Sequence, residues 1–335
     1  MSEGRPRPLG VLGAGAWGTA LAQQAALSAE GRGGRPVRLW CRRPEQAEAL
    51  AREGRNRRYL PETKLAPTIE PTAELARAAE GAEALLLAVP TQSLRGLAER
   101  LEPLVPARVP LVLCNKGLEL ATGRLPGEIL EETLPGRPLL VLSGPSFAHE
   151  LARGRPTAVT LAGRDPARAA RLAEALATPA FRPYLSDDPV GAQLGGALKN
   201  VIALACGIVE GLGLGENARA ALVTRGLAEI VRLGRAKGAR PETFMGLSGL
   251  GDLTLSCAGP SSRNYAYGLA IGRGAPAPAA LAEGVATAAA AVALAGDLGV
   301  ELPISAAVDA VVNRGADLAT TIEALLARPL RSEGA

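Results

Sequence analysis

LGVLGAGAWGTA, residues 9–20, joins a short apolar run to a Gly-x-Gly-x-x-Gly spacing at Gly13, Gly15 and Gly18. At the junction of a strand and a helix this spacing has a mechanical reading. The first glycine makes the tight turn, the second lets a pyrophosphate approach the backbone, and the third lets helix and strand pack closely. Ala16 and Trp17 follow the second glycine, and the helix N-terminus there offers free N–H groups and a positive dipole end to phosphate. A glycine-rich turn without a ligand is the plain alternative in a chain with 40 glycines. The strand-to-helix setting near the start of the chain favours a dinucleotide. Trp17 packs near that cofactor or anchors the first helix.

Outward from this loop, β-like runs alternate with helical stretches. Strands are expected at residues 9–12, 37–41, 84–89, 111–114, 139–142, 158–161 and 181–185, and helices at 19–29, 93–101 and 166–177. Such alternation predicts an α/β fold, a Rossmann-type doubly wound, mainly parallel sheet covered by helices. After Asp187-Asp188-Pro189, alanine, glycine and helical periodicity take over to the end. The expected organisation is therefore a nucleotide-binding domain over residues 1–189 and an all-α domain over 190–335. The Gly/Pro/Ala-rich residues 272–279 read as an internal loop.

Composition removes several function classes. The 335 residues carry 37 basic against 33 acidic side chains, with 3% aromatics and dispersed arginines. This favours small anionic ligands over nucleic acid. The longest apolar run noted, residues 285–296, falls short of the roughly 20 residues of a membrane helix. The opening MSEGRPRPLG has no apolar core or cleavage site for export, so a cytoplasmic location is expected. Cys41, Cys114, Cys206 and Cys257 stand far apart and His149 is the one histidine. Neither a disulfide scaffold nor a metal site is expected. His149, one turn into a helix, is read as structural or superficial.

Lysine usage is selective. Of 37 basic residues only Lys64, Lys116, Lys199 and Lys237 are lysine. Arginine cannot give up its proton in a protein, so the few lysines mark places where proton transfer is needed. Lys116 lies in Cys114-Asn115-Lys116-Gly117 after a strand, on the same sheet edge as the glycine loop. Ser143-Gly144-Pro145-Ser146 repeats that placement one strand later; Ser146 contacts a ligand or caps the next helix. Lys199 and Asn200 interrupt an apolar helical run and need a cavity or partners there. Desolvation would lower the lysine pKa, and a carboxylate such as Asp252 would oppose that. A lysine snorkelling to the surface is the alternative. Asp252 ends a glycine-rich turn, Gly246–Gly251. Ser262, Arg263 and Asn264 offer a hydroxyl, a guanidinium and an amide at a helix start, a grouping suited to phosphate or to simple capping. At the end of the second strand, where an acid would hold an NAD ribose, stand Arg42 and Arg43. They favour the 2′-phosphate of NADPH, though a solvated pair is the alternative and NADH use stays open. Glu283 reaches the cofactor or forms a surface ion pair.

In order, GAGAWGTA, CNKG, SGPSFA, ALKNVIALACGI, GLSGLGDLTLSC, SSRN and AEGVATA resemble the bacterial soluble NAD(P)-dependent glycerol-3-phosphate dehydrogenases, over about residues 9–304. The resemblance implies a homodimeric oxidoreductase that interconverts sn-glycerol 3-phosphate and dihydroxyacetone phosphate and feeds phospholipid synthesis. It implies Lys199 as proton acceptor, with Lys116, Gly144, Ser146, Asp252, Ser262, Arg263 and Asn264 on substrate. It further implies Trp17, Arg42, Arg43, Tyr59, Lys116, Ala148, Arg263, Leu281 and Glu283 on cofactor. Tyr59 and Leu281 rest on the resemblance alone. In the expected mechanism Asn200 joins Lys116 in stabilising the oxyanion. The competing expectations are a β-hydroxyacid or 6-phosphogluconate type dehydrogenase, disfavoured by SSRN and GLGDL, and a non-catalytic NADP(H) sensor, which would not need Lys199, Asp252 and Arg263 together.

Overall fold

The computed structural model describes residues 7–28 and 34–329. The first residues of the export reading, residue 29 of the expected first helix and the last six residues of the expected second domain lie outside these. The first half runs β1 (Leu9–Leu12), α1 (Ala16–Leu27), β2 (Val37–Trp40), α2 (Pro44–Glu53), β3 (Arg55–Asn56), β4 (Leu60–Lys64), β5 (Ile69–Thr72) and α3 (Leu75–Ala79). It continues through β6 (Ala84–Leu87), α4 (Leu94–Leu101), β7 (Leu111–Leu113), α5 (Pro126–Thr133), β8 (Leu139–Ser143), α6 (Ala148–Ala152), β9 (Thr157–Gly163), α7 (Pro166–Leu176) and β10 (Phe181–Ser186).

Eight strands form one sheet in the order β10-β9-β8-β7-β6-β1-β2-β5. Side chains alternate between its faces, so adjacent residues enter different cores. Leu9 and Val11 pack with α1, α2, α6 and α7 on one face. Leu12, Leu85 and Leu87 pack with α3, α4 and α5 on the other. A strand buried on both faces reads as an unbroken apolar run, which is why β1, β6, β7 and β8 stand out in the sequence.

Three features depart from the expectation. The β3–β4 hairpin and β5 were not anticipated; they are short, carry Arg, Glu and Pro, and β5 is an edge strand where Pro71 is tolerated. β9 runs antiparallel to β8, Leu140 facing Gly163, so the sheet reverses before its last two strands. α1 starts at Ala16 rather than residue 19, which makes the last glycine of the loop helical.

The second half is helical: α8 (Pro189–Gly211), α9 (Glu216–Ala236), α10 (Pro241–Phe244), a π-helical turn at Leu247–Gly251, α11 (Asp252–Cys257), α12 (Arg263–Gly272), α13 (Glu283–Asp297), α14 (Pro303–Arg314) and α15 (Leu318–Leu326). Asp188 caps α8, accepting from Gly191 N at 2.8 Å, with Pro189 at the first helical position. α8 corrects the expectation that no apolar run nears membrane length. It has 23 residues with a mean hydropathy of 1.5 over a window wholly buried in the protein. Lys199 and Asn200 split the run to the eye. It is the hub of this half, and Leu198, Val201, Ile202 and Leu204 pack against Ile230, Phe244, Tyr265 and Ala288 from the surrounding helices.

Candidate active site

The carboxyl ends of β1, β6, β7 and β8 point the same way, as parallel pairing requires, so the segments after them share one rim. Gly13 follows β1, Thr91 β6, Lys116 β7 and Gly144 β8.

At the first of these the glycines divide their tasks. Gly13 has φ +118°, a conformation that favours glycine. A Cβ on Gly18 would lie 1.8 Å from the Gly13 carbonyl oxygen, so helix and strand meet there on bare backbone. A Cβ on Gly15 would meet nothing within 4 Å. Its space is open, and Gly15 caps α1 without any side-chain bond or first-turn acid to occupy the helix N–H groups. Among the described residues this is a cradle fitted to a pyrophosphate. The loop is tied to its neighbours through the Ala14 carbonyl, which accepts from Gln46 Nε2 at 2.7 Å and Asn56 Nδ2 at 3.1 Å. Sequence reading missed both amides, since each lies more than 30 residues away. The Trp17 indole Nε1 is buried without a partner among the described residues.

Around the cradle, Arg42 and Arg43 are exposed after β2, and among the described residues no bond or ion pair engages either guanidinium. Tyr59 sits at the hairpin bend, 39% exposed, under the Arg58 guanidinium at 5.3 Å. Ala148 begins α6; its neighbour His149 is exposed and stacks on Phe147 at 5.7 Å. Leu281 is exposed in the loop before α13. Glu283 begins α13 and accepts from Thr91 N at 3.3 Å; burial pushes its carboxyl up from the ordinary range. Arg263, the first residue of α12, is exposed, and its charge acts on Glu283 in the opposite direction.

The polar centre lies where α8 crosses the rim. Asp252 is fully buried, and its two oxygens take two lysines: Lys199 Nζ on Oδ1, and Lys116 Nζ on Oδ2 at 2.7 Å. Lys199 also donates to Ser256 Oγ at 2.8 Å, and Lys116 to the Gly144 carbonyl at 2.9 Å. The Lys116 ammonium stands 5.7 Å from the Trp17 ring, joining this cluster to the glycine loop. Burial pulls Lys199 down from 10.5 to about 8; Asp252 opposes that and Lys116 adds to it. Lys199 therefore does not snorkel to the surface. Two glycines one turn earlier permit the crossing. A Cβ on Gly195 would lie 2.3 Å from the Ser248 carbonyl oxygen, and one on Gly196 2.6 Å from Ser143 Oγ.

An amide chain extends the cluster. Asn200 Nδ2 donates to the Lys116 carbonyl at 2.8 Å, Asn264 Nδ2 to Asn200 Oδ1 at 2.8 Å, and Gly284 N to Asn264 Oδ1 at 2.9 Å. Both amides thus serve the protein and keep one N–H each. Ser262 caps α12, accepting from Tyr265 N at 3.4 Å. Ser146 does not cap α6, whose first helical residue comes two positions later; its hydroxyl turns back to the Gly144 carbonyl at 2.9 Å. The expected turn before Asp252 is a π-helical one that runs straight into α11 and places Ser256 one turn beyond Asp252, a spacing visible in the sequence but not singled out.

The structure thus brings Lys116, Gly144, Ser146, Lys199, Asn200, Asp252 and Asn264 into one bonded cluster, with Glu283 on the adjoining helix start. It leaves Arg42, Arg43, Tyr59, Leu281 and Arg263 outside that network, exposed around it. Chemically, the cluster presents a buried ammonium poised to exchange a proton beside a second ammonium, next to a phosphate cradle.

The profile described as NAD-dependent glycerol-3-phosphate dehydrogenase N-terminus matches residues 8–169, and that of the C-terminus of the same enzyme residues 188–323. The chain is 53% identical over 332 residues to a glycerol-3-phosphate dehydrogenase [NAD(P)+] of Rhodospirillum rubrum, covering 97% of this chain and 94% of the relative. Among solved structures, glycerol-3-phosphate dehydrogenase from Coxiella burnetii superposes with a TM-score of 0.91 at 38% identity, covering 96% and 99% of the two chains. The Saccharomyces cerevisiae enzyme gives 0.81 at 26% identity, with the same coverage.

Proposed function

The chain belongs to the NAD-dependent glycerol-3-phosphate dehydrogenase family, and from that premise we propose how its residues carry out the oxidoreduction of sn-glycerol 3-phosphate and dihydroxyacetone phosphate with NAD(P)H. The observation that carries the reading is the Lys199–Asp252–Lys116 cluster beside the glycine loop. When bound, the nicotinamide supplies or takes up the hydride exchanged with C2 of the triose. In reduction, charged Lys199 gives its proton to the C2 oxygen; in oxidation, the neutral amine removes it. Lys116 and the remaining N–H of Asn200 stabilise negative charge on that oxygen. Arg263, Ser262 and Asn264 anchor the distant phosphate, while Gly144 and Ser146 line the other side.

Gly13, Gly15, Ala16, Trp17 and Gly18 would hold the cofactor, with Tyr59, Lys116, Ala148, Arg263, Leu281 and Glu283 contributing further contacts. NADPH is preferred, because Arg42 and Arg43 follow β2 with guanidinium groups unpaired among the described residues and would take a 2′-phosphate. Residues 1–189 bind cofactor and 190–335 supply most substrate and catalytic groups. No metal enters this chemistry. The partners are the phosphorylated triose and a second copy of the chain in a homodimer, without nucleic acid or membrane. The enzyme works in the cytoplasm and supplies glycerol 3-phosphate for phospholipid synthesis.

The test is loss of reduced-nicotinamide absorbance on adding dihydroxyacetone phosphate, run with NADPH and NADH. Faster oxidation of NADPH supports both the reaction and the arginine assignment. Equal rates overturn the arginine assignment alone, and no oxidation by protein that binds cofactor overturns the catalytic reading.

A further inference from the structure

The loop that carries Lys116 is fastened by residues that touch neither lysine nor carboxylate of the cluster. Gln92, in the 3-10 turn Thr91–Ser93, pairs with it as a strand would: Nε2 donates to the Leu118 carbonyl at 2.7 Å, and Oε1 accepts from Leu120 N at 2.9 Å. Arg95, on α4, sets its guanidinium fork against Glu119, Nε to Oε1 at 2.9 Å and Nη2 to Oε2 at 2.8 Å. The same Nη2 donates to Glu132 on α5 at 2.9 Å. Glu119 is only 7% exposed and also accepts from Thr122 Oγ1. The Arg95 guanidinium beside it holds its carboxyl below the usual range.

Glu119 stands three residues after Lys116, and the segment between them is hemmed in. A Cβ on Gly117 would lie 2.9 Å from Thr91 Oγ1 and 3.2 Å from Thr287 Oγ1. After this tight point the loop is held at Leu118, Glu119 and Leu120, and before it the Lys116 carbonyl accepts from Asn200 Nδ2, while the Lys116 ammonium reaches Asp252 and Gly144. A planar, bidentate pair constrains direction as well as distance, which a lysine in place of Arg95 would not do.

We propose that Arg95 and Glu119, assisted by Gln92, are positioning residues for the reaction, acting through the Lys116 loop. The proposal rests on the role given to Lys116 above. Because a displacement of about 1 Å at a catalytic group costs up to about a hundredfold, Arg95→Ala should lower kcat/KM for dihydroxyacetone phosphate by roughly ten- to a hundredfold. Arg95→Lys should keep most of that loss.

The deciding experiment is a double-mutant cycle of Arg95→Ala with Lys116→Ala, reading kcat/KM and the NADPH dissociation constant. With Lys116 already removed, Arg95→Ala should cost less than about twofold more, since coupled residues do not add. It should also weaken NADPH no further than Lys116→Ala does. The full Arg95 penalty in the Lys116→Ala background would overturn the proposal, as would a larger loss of NADPH affinity. Should Arg95→Ala fail to fold, Gln92→Ala and Arg95→Lys taken through the same cycle decide by the same criterion. A near-wild-type Lys116→Ala would remove the role of Lys116 and the brace with it. A damaged Lys116→Ala with additive Arg95→Ala would remove the brace alone.

Discussion

Lys116 and Lys199 hold opposite oxygens of one fully buried carboxylate, Asp252. Two ammonium groups thus share one counterion, which leaves the cluster with a surplus positive charge when both lysines are protonated. On the proposed roles, a substrate oxygen that gathers negative charge would take that surplus, favouring the transition state over the bound ground state. Burial, with the like charge of Lys116 added, makes Lys199 easier to deprotonate than an ordinary lysine, and Asp252 opposes this.

The pH dependence should reveal this. Lys199 must be charged to donate, so kcat/KM for dihydroxyacetone phosphate should be flat below about 8 and fall tenfold per unit above it. Oxidation of glycerol 3-phosphate needs the neutral amine and should rise with pH up to about 8. Lys199→Ala should lower kcat by ~10²–10⁴ with cofactor affinity retained. Matching profiles in both directions would remove Lys199 from proton transfer.

Neighbour substitutions should move that limb in opposite directions. Lys116→Met removes a like charge and should shift it upward; Asp252→Asn removes the opposing carboxylate and should shift it downward. Asp252→Asn also leaves two ammonium groups without their counterion, at a cost of about 3–5 kcal/mol in unfolding free energy. Residual-activity profiles and denaturant titration measure the two effects separately. A limb that moves the same way in both variants would contradict the shared-carboxylate account.

What could be seen in the sequence follows from burial and from distance along the chain. β1, β6, β7 and β8 are covered on both faces and show as apolar runs, and the glycine spacing marks the junction after β1. The scarcity of lysine pointed to the two lysines that meet on Asp252. The pairing itself leaves no periodic trace, because Lys116 and Asp252 are 136 positions apart. Ser256, Gly195 and Gly196 matter through close approach of α8 to other elements, and such approach is a property of the assembled fold. β3, β4 and β5 escaped notice because exposed edge residues carry charge and proline instead of alternation.

The glycine loop offers a test that separates fold from ligand. Gly15 has φ −76°, ordinary for any residue, and open space where a side chain would project. Gly15→Ala should therefore leave the melting temperature of the free protein unchanged or slightly raised, while weakening NADPH by about tenfold or more as the methyl intrudes on the pyrophosphate. Gly18→Ala should instead damage the fold, since its methyl would strike the Gly13 carbonyl. Unchanged NADPH affinity in Gly15→Ala, measured by calorimetry, would place the phosphates elsewhere.

Cofactor choice should rest on two arginines that no described residue engages. Arg42 and Arg43 follow β2 at the N-terminus of α2, and removing either guanidinium breaks no bond to a described residue. Each replacement by glutamine should raise KM for NADPH by about tenfold through lost charge-assisted contacts to the 2′-phosphate. NADH, with a hydroxyl in that place, should be used almost as before. Since the proposed proton transfer rests on Lys199 and not on these arginines, kcat should hold at saturating NADPH. A parallel loss with both cofactors would mean that these side chains support the adenosine as a whole and do not discriminate at the ribose.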